Sequence, residues 1–255
     1  MSTGNRRILF TLIPSLCIVL AINLYCVTPT RKQADTIPKK GVAVVELFTS
    51  EGCSSCPAAD ELVARLSEEY KEQLYVLGFH VDYWDRLGWR DQFSNASYSK
   101  RQNEYASILG LNSVYTPQAV VNGHAECVGS NESRLKGLID DELKTTPGTP
   151  VELHATNKNN YTITVVYHTA LTQNELVNIA LVQSHTQTDV KKGENEGRVL
   201  HHVNIVRDLK TSTTGDGTIT LTLPVNLMAK DCKVFAYIQN KDTYRITGAS
   251  ATSIE

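Results

Sequence analysis

"VVELFTSEGCSSCPAADELVARL", residues 44–66, is the stretch on which the reading of this chain turns. It begins inside a β-branched apolar run of strand length, residues 42–50. It ends inside a segment, 58–70, whose Leu62, Leu66 and Tyr70 recur four apart on one helical face. Between them Cys53 and Cys56 stand two residues apart, with Pro57 directly after. Proline suits an early helical position, where its missing N–H costs little. A cysteine at the mouth of a helix meets unpaired amides and the positive end of the helix dipole, and both favour thiolate, the nucleophilic form. Cys56, about one turn further in, is close enough for an intramolecular disulfide. Ser54 and Ser55 are small and are expected to leave Cys53 accessible. Asp60 and Glu61 oppose the activation, because nearby negative charge raises a thiol pKa.

Glu46 lies in the strand before the pair. In a central strand its carboxylate would be buried beneath the cysteines with a raised pKa, able to take and return the proton of Cys56. Downstream, "LYVLGFHVDYW" (74–84) reads as a second buried strand and "NASYSKRQNEYASIL" (95–109) as a helix capped by Asn95 or Ser97. Asn-Gly in "VYTPQAVVNGHAECVG" (114–129) signals a hairpin. "NESRLKGLIDDEL" (131–143) reads as a further helix, with Asn131 or Ser133 near its cap. Thr116-Pro117 stands where the chain enters the hairpin. X-Pro bonds are the common source of cis peptides, and a cis bond here would offer the Thr116 backbone to a peptide substrate. Asp82 and Trp84 follow the second strand at the carboxyl end of the sheet, where ligands tend to bind. They either line a substrate groove or, more plainly, cap a turn and cover the core.

Beyond "TTPGTP" (145–150) the pattern changes to short β-type runs separated by turn residues, a β-sandwich signature. The expected organisation is therefore an α/β domain over 42–148, a mixed four-stranded sheet with helices on both faces, followed by an all-β sandwich-like domain over 149–255. "GENEGRVLHHVNIVR" (193–207) reads first as a structured loop in which Glu194 and Arg198 pair locally; alternatively Arg198 or His202 reaches across to the cysteines. Upstream, Arg6 and Arg7 precede the apolar run 8–27, the pattern of an export signal or, uncleaved, of a membrane anchor. A polar linker, 28–41, follows. The body of the protein is accordingly expected in the periplasm or secreted, with residues 8–27 as its route to the membrane.

The 255 residues carry a formal net charge of only -2, and no basic stripe with interleaved aromatics points to nucleic acid. Six cysteines are too few for a disulfide scaffold of this length. Cys127 and Cys232 could pair or remain buried thiols. His124 and Cys127 could in principle join the CxxC pair around zinc, but a hairpin tip lies far from a helix mouth, so no metal is expected. The Asn-x-Ser matches at 95–97 and 131–133 are weak glycosylation signals.

The order strand, "CSSCP", helix, strand, helix, "TP", hairpin, helix resembles the thioredoxin fold over residues 42–143. "VVELFTSEGCSSCPAADELVARL", "FHVDYWDRLGW", "RQNEYASILGLNSVYTPQAVVNG" and "GENEGRVLHHVNIVR" together resemble a family of secreted bacterial proteins known as domain of unknown function 1223. The first resemblance implies Cys53 as nucleophile, Cys56 as resolving thiol, Pro117 as cis-proline and Glu46 as the buried acid, one residue further from the first cysteine than is usual. The function expected is that of an extracytoplasmic thiol–disulfide oxidoreductase with Thr116, Asp82 and Trp84 at its substrate. It would need no cofactor, only a thiol or disulfide substrate and a redox partner. The alternatives are a non-catalytic binding or assembly protein with a structural CxxC disulfide, or a metal carrier.

Overall fold

The computed structural model describes Met1, residues 41–145 and residues 148–255. The apolar segment 8–27 and the linker up to residue 40 lie outside the described residues. No helix among the described residues is long and apolar enough to cross a membrane.

The strand–helix alternation forms as read. Strand β1 (Ala43–Thr49) leads through the cysteine turn into α1 (Pro57–Tyr70), then β2 (Leu74–His80) and α2 (Ala96–Ile108). The hairpin β3 (Gln118–Val121) and β4 (Ala125–Val128) follows, then α3 (Glu132–Leu143). β1 runs parallel to β2 and antiparallel to β3. Asn122 and Gly123 turn the hairpin with φ of 42° and 71°, the left-handed conformation that Asn-Gly tolerates. The Asn95 side chain accepts from Ser97 N–H and that of Asn131 from Arg134 N–H, so both of the Asn-x-Ser asparagines serve as helix N-caps.

The remainder is β5 (Glu152–Asn159), β6 (Thr162–His168), β7 (Glu175–Asp189), β8 (Val199–Ser212), β9 (Asp216–Thr222), β10 (Cys232–Asn240) and β11 (Ile246–Ser253). Their pairing overturns the expected fold class. A thioredoxin-like α/β unit with a four-stranded sheet followed by a separate sandwich does not form. Instead strands from both halves of the chain make one eight-stranded mixed sheet in the order β11-β10-β7-β8-β2-β1-β3-β4. The described residues include only three α-helices, and those from residue 41 onward cluster as a single compact unit. The halves join where Gly78 of β2 faces Ile205 of β8. A second sheet, β5-β6-β9, is antiparallel. It buries Ile163, Val165, Tyr167 and Leu221 against Ile179, Leu181, Val234 and Ile238 of the large sheet.

The alternation of β1 sorts its side chains between two cores. Val45 and Leu47 pack with Leu62, Val63 and Leu66 of α1. Val44 and Phe48 join Tyr98 and Tyr105 of α2, together with Val182, Phe235 and Tyr237 from the second half. Glu46 shares the face of Val44 and Phe48. Fully buried, it is gripped by Arg101, whose Nε and Nη2 donate to its two carboxylate oxygens at 2.5 and 2.8 Å. Tyr105 Oη donates to it at 2.6 Å. Arg101 Nη2 also donates to Gln239 Oε1 at 3.1 Å, which carries the network into β10. A bidentate guanidinium–carboxylate pair satisfies both charges inside a core. Removing one partner of such a pair strands the other in low dielectric, which costs about 3–5 kcal/mol. Arg101→Met should therefore lower the free energy of unfolding in urea by about that amount. The double variant Arg101→Met/Glu46→Leu should recover most of it.

Candidate functional site

The cysteine turn closes as a disulfide between Cys53 and Cys56, with their Cα atoms 5.4 Å apart. Cys56 is the residue before α1 and Pro57 its first residue. Ser55 Oγ lies 3.4 Å from Cys53 Sγ. The Thr116–Pro117 bond is cis. Pro117 lies beside the first turns of α1: the space where a side chain at Gly129 would start is 3.2 Å from Cβ of Ala59 and 3.3 Å from Cβ of Pro117. Trp84 bridges the two loops. Its Nε1 donates to Thr116 Oγ1 at 2.9 Å, and its Cβ lies 3.2 Å from the corresponding space at Gly52. Of the residues read from sequence, then, Cys53, Cys56, Pro117, Thr116 and Trp84 come together.

Two do not. Asp82 accepts a hydrogen bond from Ser99 Oγ at 2.5 Å and anchors α2. Glu46 is not the acid beneath the pair, because strand alternation turns it toward α2, where Arg101 and Tyr105 occupy it. A buried acid does lie in the first turn of α1: Asp60, whose N–H donates to Cys56 O at 3.1 Å.

Neither sulfur is accessible: Cys53 and Cys56 are both 0 % exposed. The expectation that small serines would leave Cys53 open fails because the connection between β7 and β8, residues 190–198, lies over the turn. Asn195, itself fully buried, donates through Nδ2 to Glu51 O and to Cys53 O, each at 2.9 Å. Glu194 Oε2 accepts from Ser54 N–H at 3.0 Å, an anion seated where the helix entrance favours one. That contact holds the Glu194 carboxyl below its usual pKa. Arg198 Nη1 donates locally to Asn195 Oδ1, so the Glu194–Arg198 pair expected from sequence does not form: Glu194 crosses to Ser54 instead, and Arg198 holds the Asn195 that reaches the cysteine turn. The base of the cover is closed by Val190 N–H to Arg198 O and Gly197 N–H to Val190 O. Gly193 and Gly197, both with φ of 79°, supply the left-handed turns.

Under this cover lies a buried cluster of ionisable groups. His202 of β8 stands between two carboxylates, with Nε2 3.4 Å from Glu51 Oε1 and Nδ1 3.7 Å from Asp60 Oδ2. Neither ring nitrogen makes a hydrogen bond, and nor does Glu51 Oε1. The other Glu51 oxygen accepts from Trp89 Nε1 at 2.8 Å. Thr49 Oγ1 donates to Asp60 at 3.3 Å. The His202 ring meets the His80 ring edge-to-face at 5.0 Å. His80 Nδ1 in turn pairs with Asp91 Oδ2 at 2.7 Å, and that same oxygen accepts from Glu51 N–H. Burial raises the Asp60 pKa, an effect that His202 and His80 only partly offset. Burial pushes His80 down, but Asp91, helped by Asp60 and Glu51, outweighs it and the pKa rises. The sequence presents His202 only as a long-range alternative and Asp60 only as a nearby charge. The i, i+4 spacing of Cys56 and Asp60 was the available signal; nothing local pointed to Asn195 or Glu51.

Other cysteines and histidines stay apart from the site. Cys127 and Cys232 are free buried thiols in different cores, each pushed up by burial to about 11. His124 pairs with Glu142 at 3.0 Å. No group of three or more metal-ligating side chains converges among the described residues.

The chain belongs to the family described as a protein of unknown function, DUF1223. The match spans residues 44–239 and so takes in the cysteine turn, the cover and His202. No curated protein matches the sequence. Among solved structures the chain is similar to a protein from Agrobacterium tumefaciens studied by crystallography in a structural-genomics programme. That similarity is at 27% identity, covers 84% of this chain and 95% of the other, and has a TM-score of 0.62.

Proton linkage at the cluster has a definite sign. Asp60 and His80 both bind protons more tightly in the folded protein than at their ordinary values of 3.8 and 6.5. Their contribution is complete below the unfolded pKa and is lost as pH rises through the folded one. The depressed pKa of His124 acts in the opposite direction near neutrality. Unfolding free energy measured in urea should therefore fall less steeply between pH 5 and pH 8 in Asp60→Asn than in the parent protein.

Proposed function

We propose that the protein is a thiol–disulfide exchange protein that works outside the cytoplasm, with Cys53 as the sulfur attacked by substrate and Cys56 as the sulfur that leaves and later re-forms the bond. The observation that carries this reading is the juxtaposition at the head of α1. A disulfide spanning three residues closes the head of α1, and Trp84 ties its turn at Gly52 to Thr116 of the facing loop.

Magnitude supports a chemical role over a stapling one. In the chain-entropy picture a bond closing so short a loop stabilises the fold by only about 2 kcal/mol, against about 4.7 for a loop of 100 residues. A bond that staples little is better suited to being opened. The substrate is a thiol or disulfide of a protein or small molecule, a separate redox partner recycles the pair, and Thr116 and Trp84 flank the approach. Because Asn195 and Glu194 hold the cover shut, exchange requires residues 190–198 to move away from Ser54.

Full burial of both sulfurs favours a second reading, in which the disulfide is fixed and the protein binds or assembles with a partner. The two readings separate on potential. A fixed bond should lie below about -300 mV and resist glutathione, whereas an exchanging pair lies above it. In a model-disulfide assay Cys53→Ser should abolish turnover, and Cys56→Ser should accumulate mixed disulfides visible on non-reducing gels. Turnover at the parent rate in both variants would refute the exchange reading. Asn195→Ala, which strands two carbonyls and loosens the cover, should speed reduction by a phosphine reductant several-fold.

A further inference from the structure

Two loops meet at the cysteine turn, and one residue is tied to both. The first is the cover, residues 190–198, closed at its base by Val190 and Arg198. The second is the arc 85–91 between β2 and α2, closed at its base where Asp91 N–H donates to Asp85 Oδ1 at 3.2 Å. They touch where the space for a side chain at Gly193 lies 3.2 Å from Cβ of Trp89 and 3.9 Å from Leu87 O. Glu51, fully buried in the turn before Cys53, is bonded to each loop. Its carbonyl accepts from Asn195 Nδ2 of the cover, and its Oε2 accepts from Trp89 Nε1 of the arc. Its N–H donates to Asp91 Oδ2, and Asp91 is fixed by its pairing with His80. The remaining oxygen, Oε1, has no hydrogen bond and faces the His202 ring 3.4 Å away, whose two nitrogens have none either. A buried polar atom left in this way destabilises the state that buries it, and three such atoms lie together at Glu51.

We propose that the cover and the arc are two leaves of one lid, pinned by Glu51, and that they uncover the disulfide in a single opening. This deepens the exchange reading and rests on it, since a bond that is never opened needs no lid. The coupling comes from the Glu51 carboxylate. While both leaves are shut it is kept from water and receives one hydrogen bond, from Trp89. When Asn195 and Glu194 let go of the turn, water reaches the pin. A hydrated carboxylate gains from solvent what the buried one lacked, so it no longer depends on Trp89, and the arc is released. When Trp89 lets go first, the same hydration loosens the turn that Asn195 grips. Release of either leaf therefore releases the other. Each leaf keeps its own shape, because the bonds that close its base are internal to it: Val190 with Arg198 and Gly197 in the cover, Asp91 with Asp85 in the arc. Opening also brings water to the two His202 nitrogens, which favours the open state over the closed one by removing a defect of the latter.

Two measurements on the full oxidised chain test the lid. The first is the rate of disulfide reduction by tris(2-carboxyethyl)phosphine in wild type, Trp89→Phe, Asn195→Ala and the double variant. Trp89→Phe keeps an aromatic ring and deletes only the N–H that holds the pin. It should speed reduction about threefold or more, and the double variant should fall well short of the product of the single effects, because either change already frees both leaves. A wild-type rate in Trp89→Phe beside a faster Asn195→Ala, or single effects that multiply, would overturn the two-leaf lid and leave the exchange reading standing. The second measurement is native-state hydrogen exchange in wild type at the Trp89 indole N–H, held in the arc by Glu51, and the Ser54 amide, held by the cover. Their protection factors should agree within about threefold and lie below that of global unfolding. A wider gap between the two would show leaves that open separately and would overturn the inference. A wild-type disulfide that the phosphine reduces no faster than the whole protein unfolds would overturn lid and exchange together. Should the variants fail to fold, the wild-type measurements decide alone.

Discussion

The constraint on which the site depends is the meeting of β2 with β8. At Gly78 and Ile205 the first half of the chain, with its strand–helix alternation, is joined edge to edge to the antiparallel strands of the second. That join covers the apolar faces of Phe79 and Leu77 with Val182, Phe235 and Tyr237. It also determines what lies over the cysteines. Once β8 is beside β2, the segment before it must cross the mouth of α1, and His202 must enter the space between Glu51 and Asp60. The burial of the disulfide, the cover and the ionisable cluster are three results of one strand pairing.

The two buried acids of the first half differ in how completely their charge is answered. Glu46 and Asp60 are both buried. Glu46 receives two hydrogen bonds from Arg101 and one from Tyr105, so its charge is fully answered. Asp60 receives one long hydrogen bond, from Thr49, and its nearest basic group stands 3.7 Å away without bonding to it. The first arrangement fixes a core. The second leaves a buried carboxylate incompletely answered, an arrangement that recurs at functional sites.

Much of the first half could be read along the chain because its determinants are local. The 3.6-residue and two-residue periods placed the three helices and the strands, Asn95 and Asn131 announced the caps, Asn122-Gly123 announced the hairpin, and Thr116-Pro117 the cis bond. The errors have a common physical source. A strand's pattern says which face is buried and not which strand lies beside it, so β7 and β8 were assigned to a separate sandwich when they extend the first sheet. Glu46 was placed under the cysteines from its position relative to them, although alternation along β1 puts it with Val44 and Phe48 on the other side. Asn195 was invisible because its partners, Glu51 O and Cys53 O, lie more than 140 residues away and are backbone atoms that carry no sequence signal.

The Glu194 carboxylate on the Ser54 amide has one more consequence. The group that covers the helix entrance is part of the same chain, tethered at both ends by a short closed loop. A tethered ligand competes at an effective concentration on the order of millimolar, whatever its dilution in solution. Any outside carboxylate or peptide reaching for that amide meets a rival whose strength is independent of protein concentration. Weak, abundant molecules are thereby screened out, and only a visitor bringing additional contacts of its own can displace the resident side chain.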